Sequence, residues 1–324
     1  MRPRCHRHGR RHVREPQCSR HRRRDHRHVQ TQRSTRLSRH AGLAVRRAVR
    51  NPVSGFLVGS AGWQGTPHAE AIPAVRAAGF GGVEILSKPG HFEPDNPAHV
   101  TEVTTALADW PDATVTFHAP FHTADLAATD FEAWESDVAQ VSRALRAAST
   151  FGARAAVIHT RGHGKGMDWS DANFAAFRRA LDLLLPVAVE CRMKLAVENL
   201  PPRRFTAEPE ELLRLLDCYP ADAIGVCFDT GHAHNTGELI AMAGVLAKRS
   251  YVTHIHDNHG EGRDEHIVPG QGTIPWRELA ETLLSSGFRG HCVLEVVAKE
   301  NLPLLLKSLK DAIVQTGLCA LTGA

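Results

Sequence analysis

The sequence predicts a single closed α/β barrel of eight β/α units, preceded by an unfolded basic tail. Three observations predict it. Short, nearly continuous apolar runs recur between residues 56 and 297, as expected of parallel strands covered on both faces. Helical patterns with polar or Pro starts and Gly stops lie between them. Eight such units occupy about 260 residues, the usual span of a (β/α)8 barrel. A doubly wound open sheet is the rival architecture, but it usually has fewer strands.

The tail comes first. Residues 1–50 hold 17 Arg, no Lys and two acids, Glu15 and Asp25. The runs RCHRHGRRHVRE and SRHRRRDHRH have almost no apolar residues and no period, so they cannot bury enough surface to fold alone. Three origins are open: an upstream start codon in Arg-rich coding DNA, an unfolded tail without a specific role, or a nucleic-acid or targeting arm. The amphipathic face of a transit peptide is missing. The tail is assigned to 1–52 and the barrel domain to 53–324.

The strand-like runs follow in order: 56–61 (FLVGSA), 82–86 (GVEIL), 114–118 (TVTFH), 155–159 (AAVIH), 195–199 (LAVEN), 224–229 (IGVCFD), 251–257 (YVTHIHD) and 291–297 (HCVLEVV). Helical patterns are expected over AEAIPAVRAAG, DFEAWESDVAQVSRALRAASTFG and SDANFAAFRRALDLLLPVAVEC, then over PEELLRLLD, PWRELAETLLSSG and NLPLLLKSLKDAIVQTG. The glycine-rich stretch Gly162-His163-Gly164-Lys165-Gly166 lacks the Lys-Ser/Thr ending of a phosphate loop and reads as a flexible loop beside the site.

Composition narrows the function. The chain has 324 residues and is 42% hydrophobic, enough for one large core. Outside the tail there are 22 basic and 33 acidic residues, a net charge of −11. Such a body repels phosphate backbones, so nucleic acid is not an expected partner of the barrel, although the tail can bind it non-specifically. The seven cysteines are odd in number and form no C-x-x-C, which fits a reducing, cytoplasmic setting. No apolar run reaches the roughly 18 residues of a membrane span, and the longest, near Leu181–Val189, is interrupted by Pro186. No G-x-S-x-G elbow is present.

Nine residues suited to divalent metals fall where a barrel keeps its active site: His118, His159, Glu198, Asp229, His232, His254, Asp264, His266 and Glu295. A lone His at a strand end is usually a hydrogen-bonded structural residue. A Glu in an apolar strand is different, because a buried carboxylate is costly unless paired or metal-bound. Glu198 and Glu295 are therefore the expected catalytic pair. Asp229 could instead cap a helix. Glu84, His122 and His256 sit near strand mouths as weaker candidates for substrate contact.

The motifs V-E-N at Glu198, F-D-T-G-H at Asp229 and H-I-H-D-N-x-G-x-x-x-D-E-H-x-x-P-G-Q-G-x-I at His254 resemble the xylose isomerase-like TIM barrel superfamily. The resemblance covers roughly residues 55–315. It lies with the sugar phosphate isomerase/epimerase group and, in ligand pattern, with endonuclease IV. It implies that Glu198, Asp229, His254 and Glu295 match the four ligands of a single divalent ion. It also implies that His118, His159, His232, Asp264 and His266 match the further ligands of a three-zinc centre. Two features depart from endonuclease IV: the opening strand reads Val58-Gly59-Ser60-Ala61-Gly62-Trp63 in place of G-A-H-V-S, and Ala119 follows His118.

The expected function is a divalent-metal-dependent isomerase or epimerase of a small carbohydrate-like carbonyl compound, working through an enediolate. Zn²⁺ or Mn²⁺ is the expected ion, with Mg²⁺ or Co²⁺ also suited to the donor set. The alternative is an endonuclease IV-like multinuclear zinc phosphoesterase, with Glu198 bridging two ions. A third class, a non-catalytic binder, leaves two costly buried Glu unexplained. Substrate and oligomeric state are not legible.

Overall fold

A computed structural model describes residues 51–161, 169–297 and 301–323. The basic tail and the glycine-rich stretch 162–166 lie outside the described residues. Eight parallel strands pair in chain order, and the eighth returns to the first: β1 Phe56–Gly59, β2 Gly82–Leu86, β3 Thr114–His118, β4 Ala155–Ile158, β5 Lys194–Glu198, β6 Ile224–Asp229, β7 Ser250–Ile255 and β8 His291–Leu294. This is the expected closed (β/α)8 barrel.

The helices are α1 His68–Ala77, α2 Pro97–Ala108, α3 Phe131–Thr150, α4 Asp171–Glu190, α5 Pro209–Leu216, α6 Thr230–Thr236, α7 Leu239–Leu246, α8 Trp276–Ser285 and α9 Leu302–Thr316. Their ends are fixed locally. Asp130 accepts from the Ala133 N–H at the start of α3, and Ser170 and Asn173 form a reciprocal cap on α4. Helix α9 stops at Gly317, whose φ of 79° suits glycine.

Three helices escape the sequence patterns: α2, α6 and α7. The segment PAHVTEVTTALA of α2 is rich in β-branched residues, which weaken helix propensity. Helix α6 (TGHAHNT) is short and polar, and α7 (LIAMAGVL) is apolar all round, so neither shows a period. Helix α4 runs through Pro186, as its sequence pattern predicts. Among the described residues, no helix is long and apolar enough to cross a membrane.

Two apolar layers form. The larger lies between strands and helices. The smaller fills the bore with Leu57, Ala155, Val157, Ala196, Cys227, Val252 and Val293. Side chains alternate along a strand, so residues two further on also face the bore. Those positions are His159, Glu198, Asp229, His254 and Glu295. The period of two thus lifts a ring of imidazoles and carboxylates above an apolar plug, at the C-terminal end of the strands.

Candidate metal centre

The ring converges on one nitrogen. His254 Nδ1 lies 3.1 Å from Glu295 Oε2, 3.5 Å from Glu198 Oε2 and 3.8 Å from Asp229 Oδ2. These four residues come from β5, β6, β7 and the end of β8, and none is more than 8% exposed. His254 Nδ1 is buried with no hydrogen-bond partner among the described residues. An unpartnered imidazole nitrogen facing three carboxylates fits a divalent cation, which would relieve both the mutual repulsion and the unmet lone pair. His254 Nε2 lies 2.9 Å from Glu84 Oε1 without completing a well-formed hydrogen bond. The other Glu84 oxygen accepts from Thr116 Oγ1 at 2.9 Å.

Further groups flank this centre. Glu198 Oε2 also lies 3.4 Å from His118 Nε2 and 3.1 Å from His159 Nε2. Its Oε1 lies 3.3 Å from His232 Nδ1. Beyond, Asp264 links His232 Nε2 at 3.3 Å and His266 Nε2 at 3.1 Å. Three rings are held the same way: His118, His232 and His266 each turn Nδ1 to a backbone carbonyl, of Ala119, Asn199 and Glu295 respectively. An Nδ1–H donated to a carbonyl aims Nε2 at the carboxylates, where it can exchange its proton for a metal ion. The structure thus brings all nine sequence-predicted residues into one connected cluster.

Neighbouring amides set the frame. Asn199 clamps β5 to β6, accepting from the Asp229 N–H at 2.7 Å and donating to the Asp229 carbonyl at 3.0 Å. Asp229 does cap α6, accepting from the His232 N–H at 2.7 Å, while its second oxygen faces His254. The capping and cluster roles are compatible because a carboxylate has two oxygens.

Sequence reasoning missed Asp257. It is fully buried and accepts from the N–H groups of Asn258, Gly270 and Ile274 and from the Trp276 indole. That hub braces the loop that carries Asp264 and His266. The P-G-Q-G turn was the available signal, because a Cβ on Gly272 would land on the Asn258 carbonyl. His266 itself adopts φ 46°, a region that costs an L-residue about 1–2 kcal/mol. Its bond to the Glu295 carbonyl and the Val297 N–H on its own carbonyl hold it there.

Two weaker candidates sit differently from expectation. Glu84 is 1% exposed beneath His254, with both oxygens engaged, and so is poorly placed to touch substrate. His256 is wholly buried, with Nε2 3.1 Å from both Asp229 oxygens and its ring stacked 3.8 Å from that of His266. The reasons differ: Glu84 stops two residues short of the end of β2, whereas His256 lies two residues beyond His254 and has its ring held against Asp229 and His266. His122 is half-buried on the loop after β3, against Phe121. Because Glu84 orients His254, Glu84→Gln is expected to weaken Zn²⁺ affinity about 10- to 100-fold while leaving the fold intact. Competition with a chromogenic chelator measures this, and unchanged affinity would remove Glu84 from the centre.

The cluster's protonation couples to stability. For His266, burial opposes the charge, but the bond to Asp264 and the nearby carboxylates outweigh it and lift the ring to about 9. His118, His232 and His254 also rise, burial again being outweighed by carboxylates and, for His254, by Cys227 and carboxylates together. His159 falls, with burial the chief cause. Glu198, Glu295 and Asp264 are driven down by the imidazoles despite burial.

A raised His stabilises below its ordinary 6.5 and loses that contribution as pH rises toward about 9. A lowered carboxylate stabilises above its ordinary value and loses that contribution on acidification. Metal-free protein is therefore expected to be most stable between about pH 5 and 6.5 and less stable at pH 9. Thermal unfolding in chelator checks this, and a higher Tm at pH 9 than at pH 6 would contradict the paired cluster.

Comparison with known proteins agrees with this architecture. The chain is 27% identical over 247 residues to an uncharacterized protein of Methanocaldococcus jannaschii, covering 72% of this chain and 77% of that one. It is 33% identical over 137 residues to a probable endonuclease 4 of Mycobacterium ulcerans, covering 40% of this chain and 52% of that one. Among solved structures, a D-tagatose 3-epimerase-like protein superposes with a TM-score of 0.67 at 22% identity, over 82% of this chain and 98% of the other. An IOLI protein with a binding zinc atom superposes with a TM-score of 0.68 at 16% identity, over 83% and 98%. These two likenesses are of fold. The profile of the xylose isomerase-like TIM barrel family matches residues 72–313, the span that carries seven of the eight strands and all nine clustered residues. The chain belongs to that family.

Proposed function

We propose that the protein is a divalent-metal-dependent isomerase or epimerase of a small sugar-like carbonyl compound. The observation that carries this reading is the convergence of Glu198, Asp229 and Glu295 on the unpartnered His254 Nδ1. These four residues would hold the ion. When bound, it supplies Lewis-acid polarisation of a carbonyl and its neighbouring hydroxyl.

The chain's own groups do the rest. Glu198 and Glu295 are ionised at neutral pH, so either can accept the proton leaving the α-carbon. The C–H electron pair moves into the new carbon–carbon double bond as the carbonyl oxygen gains charge. The proton returns from the same or the opposite carboxylate, and the choice sets the stereochemical outcome. His232, tied through Nδ1, presents Nε2 toward Asp264 at the rim and would steady a substrate oxygen. The test incubates the protein with Mn²⁺ or Zn²⁺ and ketoses such as D-tagatose, D-psicose and D-fructose in D₂O. Deuterium at the α-carbon, lost on chelation, supports the reading. Its absence with every ketose, or its survival in chelator, argues against it.

A specific observation favours a second reading. The outer group of His232, Asp264 and His266 is pre-arranged, and His118 with His159 flanks Glu198. That geometry also suits a multinuclear zinc phosphoesterase, in which Glu198 is shared between ions. Elemental analysis of the full chain and of protein lacking residues 1–50 separates the two readings, because seven tail histidines would inflate the count. About one ion per barrel supports the isomerase, and two or three zinc ions support the hydrolase. His159→Ala divides them independently. Activity should fall less than about tenfold in a mononuclear isomerase and more than about a hundredfold, with zinc loss, in the hydrolase.

A further inference from the structure

The bore has a second end. At the N-terminal ends of β4, β5, β7 and β8 a cavity of about 330 Å³ opens, lined by Arg154, Lys194, Lys248, Arg289, His291 and Tyr251. The period that lifts Glu198 and Glu295 to the mouth places Lys194 and His291 here, two residues before the plug positions Ala196 and Val293. The apolar plug separates this cavity from the carboxylate cluster, so the two ends are chemically distinct.

The cavity is basic in a body of net charge −11. No carboxylate lines it. Among the described residues, none of Arg154, Lys194, Lys248 and Arg289 forms an ion pair. All four are solvent-exposed, so water screens their repulsion and their charges stay available to an incoming anion. The site is also partly organised. The Lys194 ammonium sits 4.4 Å over the Tyr251 ring, whose hydroxyl donates to the Ala221 carbonyl. Gly290 lets the chain entering β8 close directly on the Tyr251 backbone, since a Cβ there would come within 2.6 Å of the Tyr251 carbonyl carbon. Burial chiefly, and then Lys194, lower His291, leaving a neutral ring with an N–H to donate.

We propose that this basal cavity binds a compact polyanion, a small phosphorylated metabolite, through Arg154, Lys194, Lys248 and Arg289. Guanidinium and ammonium donors around one concavity suit phosphate oxygens. The cavity is small and belongs to a body of net charge −11, which favours a compact ligand over a nucleic-acid backbone.

The test is calorimetric titration of the full chain with inorganic pyrophosphate. Parent protein should show a saturable component that the Lys194→Gln/Arg289→Gln variant weakens by at least about tenfold. The control Lys307→Gln/Lys310→Gln should behave as the parent, and any binding by the tail is common to all three. Arg154→Gln alone should weaken the same component, which keeps the test valid if the double variant unfolds. No saturable component in the parent, or equal binding by the cavity variants, would overturn the proposal. So would a cavity variant that loses affinity for a single-stranded oligonucleotide but not for pyrophosphate.

Discussion

If Glu198 is the proposed base and ligand, Glu198→Gln is expected to remove solvent proton exchange into substrate and to lower the protein's metal content. Glu198 is 1% exposed, and its two oxygens face His118, His159, His232 and His254 at 3.1–3.5 Å. A neutral amide of the same shape keeps the packing but withdraws the charge that those imidazoles and a cation share. One of its two positions also becomes an NH₂ donor pointed at ring nitrogens. Loss of a general base lowers the rate by about 10²–10⁴, and loss of the ligand adds to this. The measurements are deuterium incorporation by NMR and metal content on the same sample. Parent-level exchange in the variant would exclude Glu198 as both base and ligand. Retained metal with lost exchange would confine it to the proton-transfer role.

The second large effect is on stability. Gly231 lies in the first turn of α6, and a Cβ there would sit 2.6 Å from His256 Nδ1 and 2.7 Å from Nε2, closer still to Cε1. His256 has no room to retreat. Its Nε2 is held by Asp229, its ring stacks on His266, and its carbonyl accepts from Thr230 Oγ1 at 2.9 Å. Gly231 is itself anchored, its carbonyl accepting from Asn258 Nδ2 at 2.8 Å. Gly231→Ala is therefore expected to destabilise the protein by about 3 kcal/mol, an overpacking effect at its upper range. The corresponding fall in Tm is roughly 6–12 °C. Adding His256→Ala to Gly231→Ala should recover part of the loss, because the clash has gone. Equal Tm values for parent and Gly231→Ala would show that His256 is not locked in place.

The glycine of the F-D-T-G-H motif illustrates where sequence reading stops. The motif shows that Asp229 and His232 belong together, and a strand-to-helix bend explains the spacing. That Gly231 must lack a side chain depends on His256, twenty-five residues further along and just past the end of β7. Glu84 illustrates the same limit. It stands in the middle of an apolar strand where Glu198 ends one, and its partner is the far nitrogen of His254 across the bore. Asp257 follows two histidines in H-I-H-D, but it serves the loop that carries Asp264 and His266. Each of these roles needs coordinates, because each links residues that only barrel closure brings together.

By itself, the sequence determined the barrel and the set of nine. Parallel strands buried on both faces must be apolar, so a charged or imidazole residue at the end of such a run stands out, and the period of two fixes its direction. The sequence also separated an Arg-rich tail from an acidic body by charge alone. The tertiary structure decided how the nine divide among themselves, which imidazole nitrogen faces the carboxylates, and that Glu84 and His256 support the cluster from within. It also decided that Lys194 and His291, unremarkable in one dimension, share a basic cavity with Arg154, Lys248 and Arg289. The physical reason is the same throughout. Alternation along a strand is a local property, whereas contacts across a closed bore depend on strand register and closure, which local periodicity does not encode.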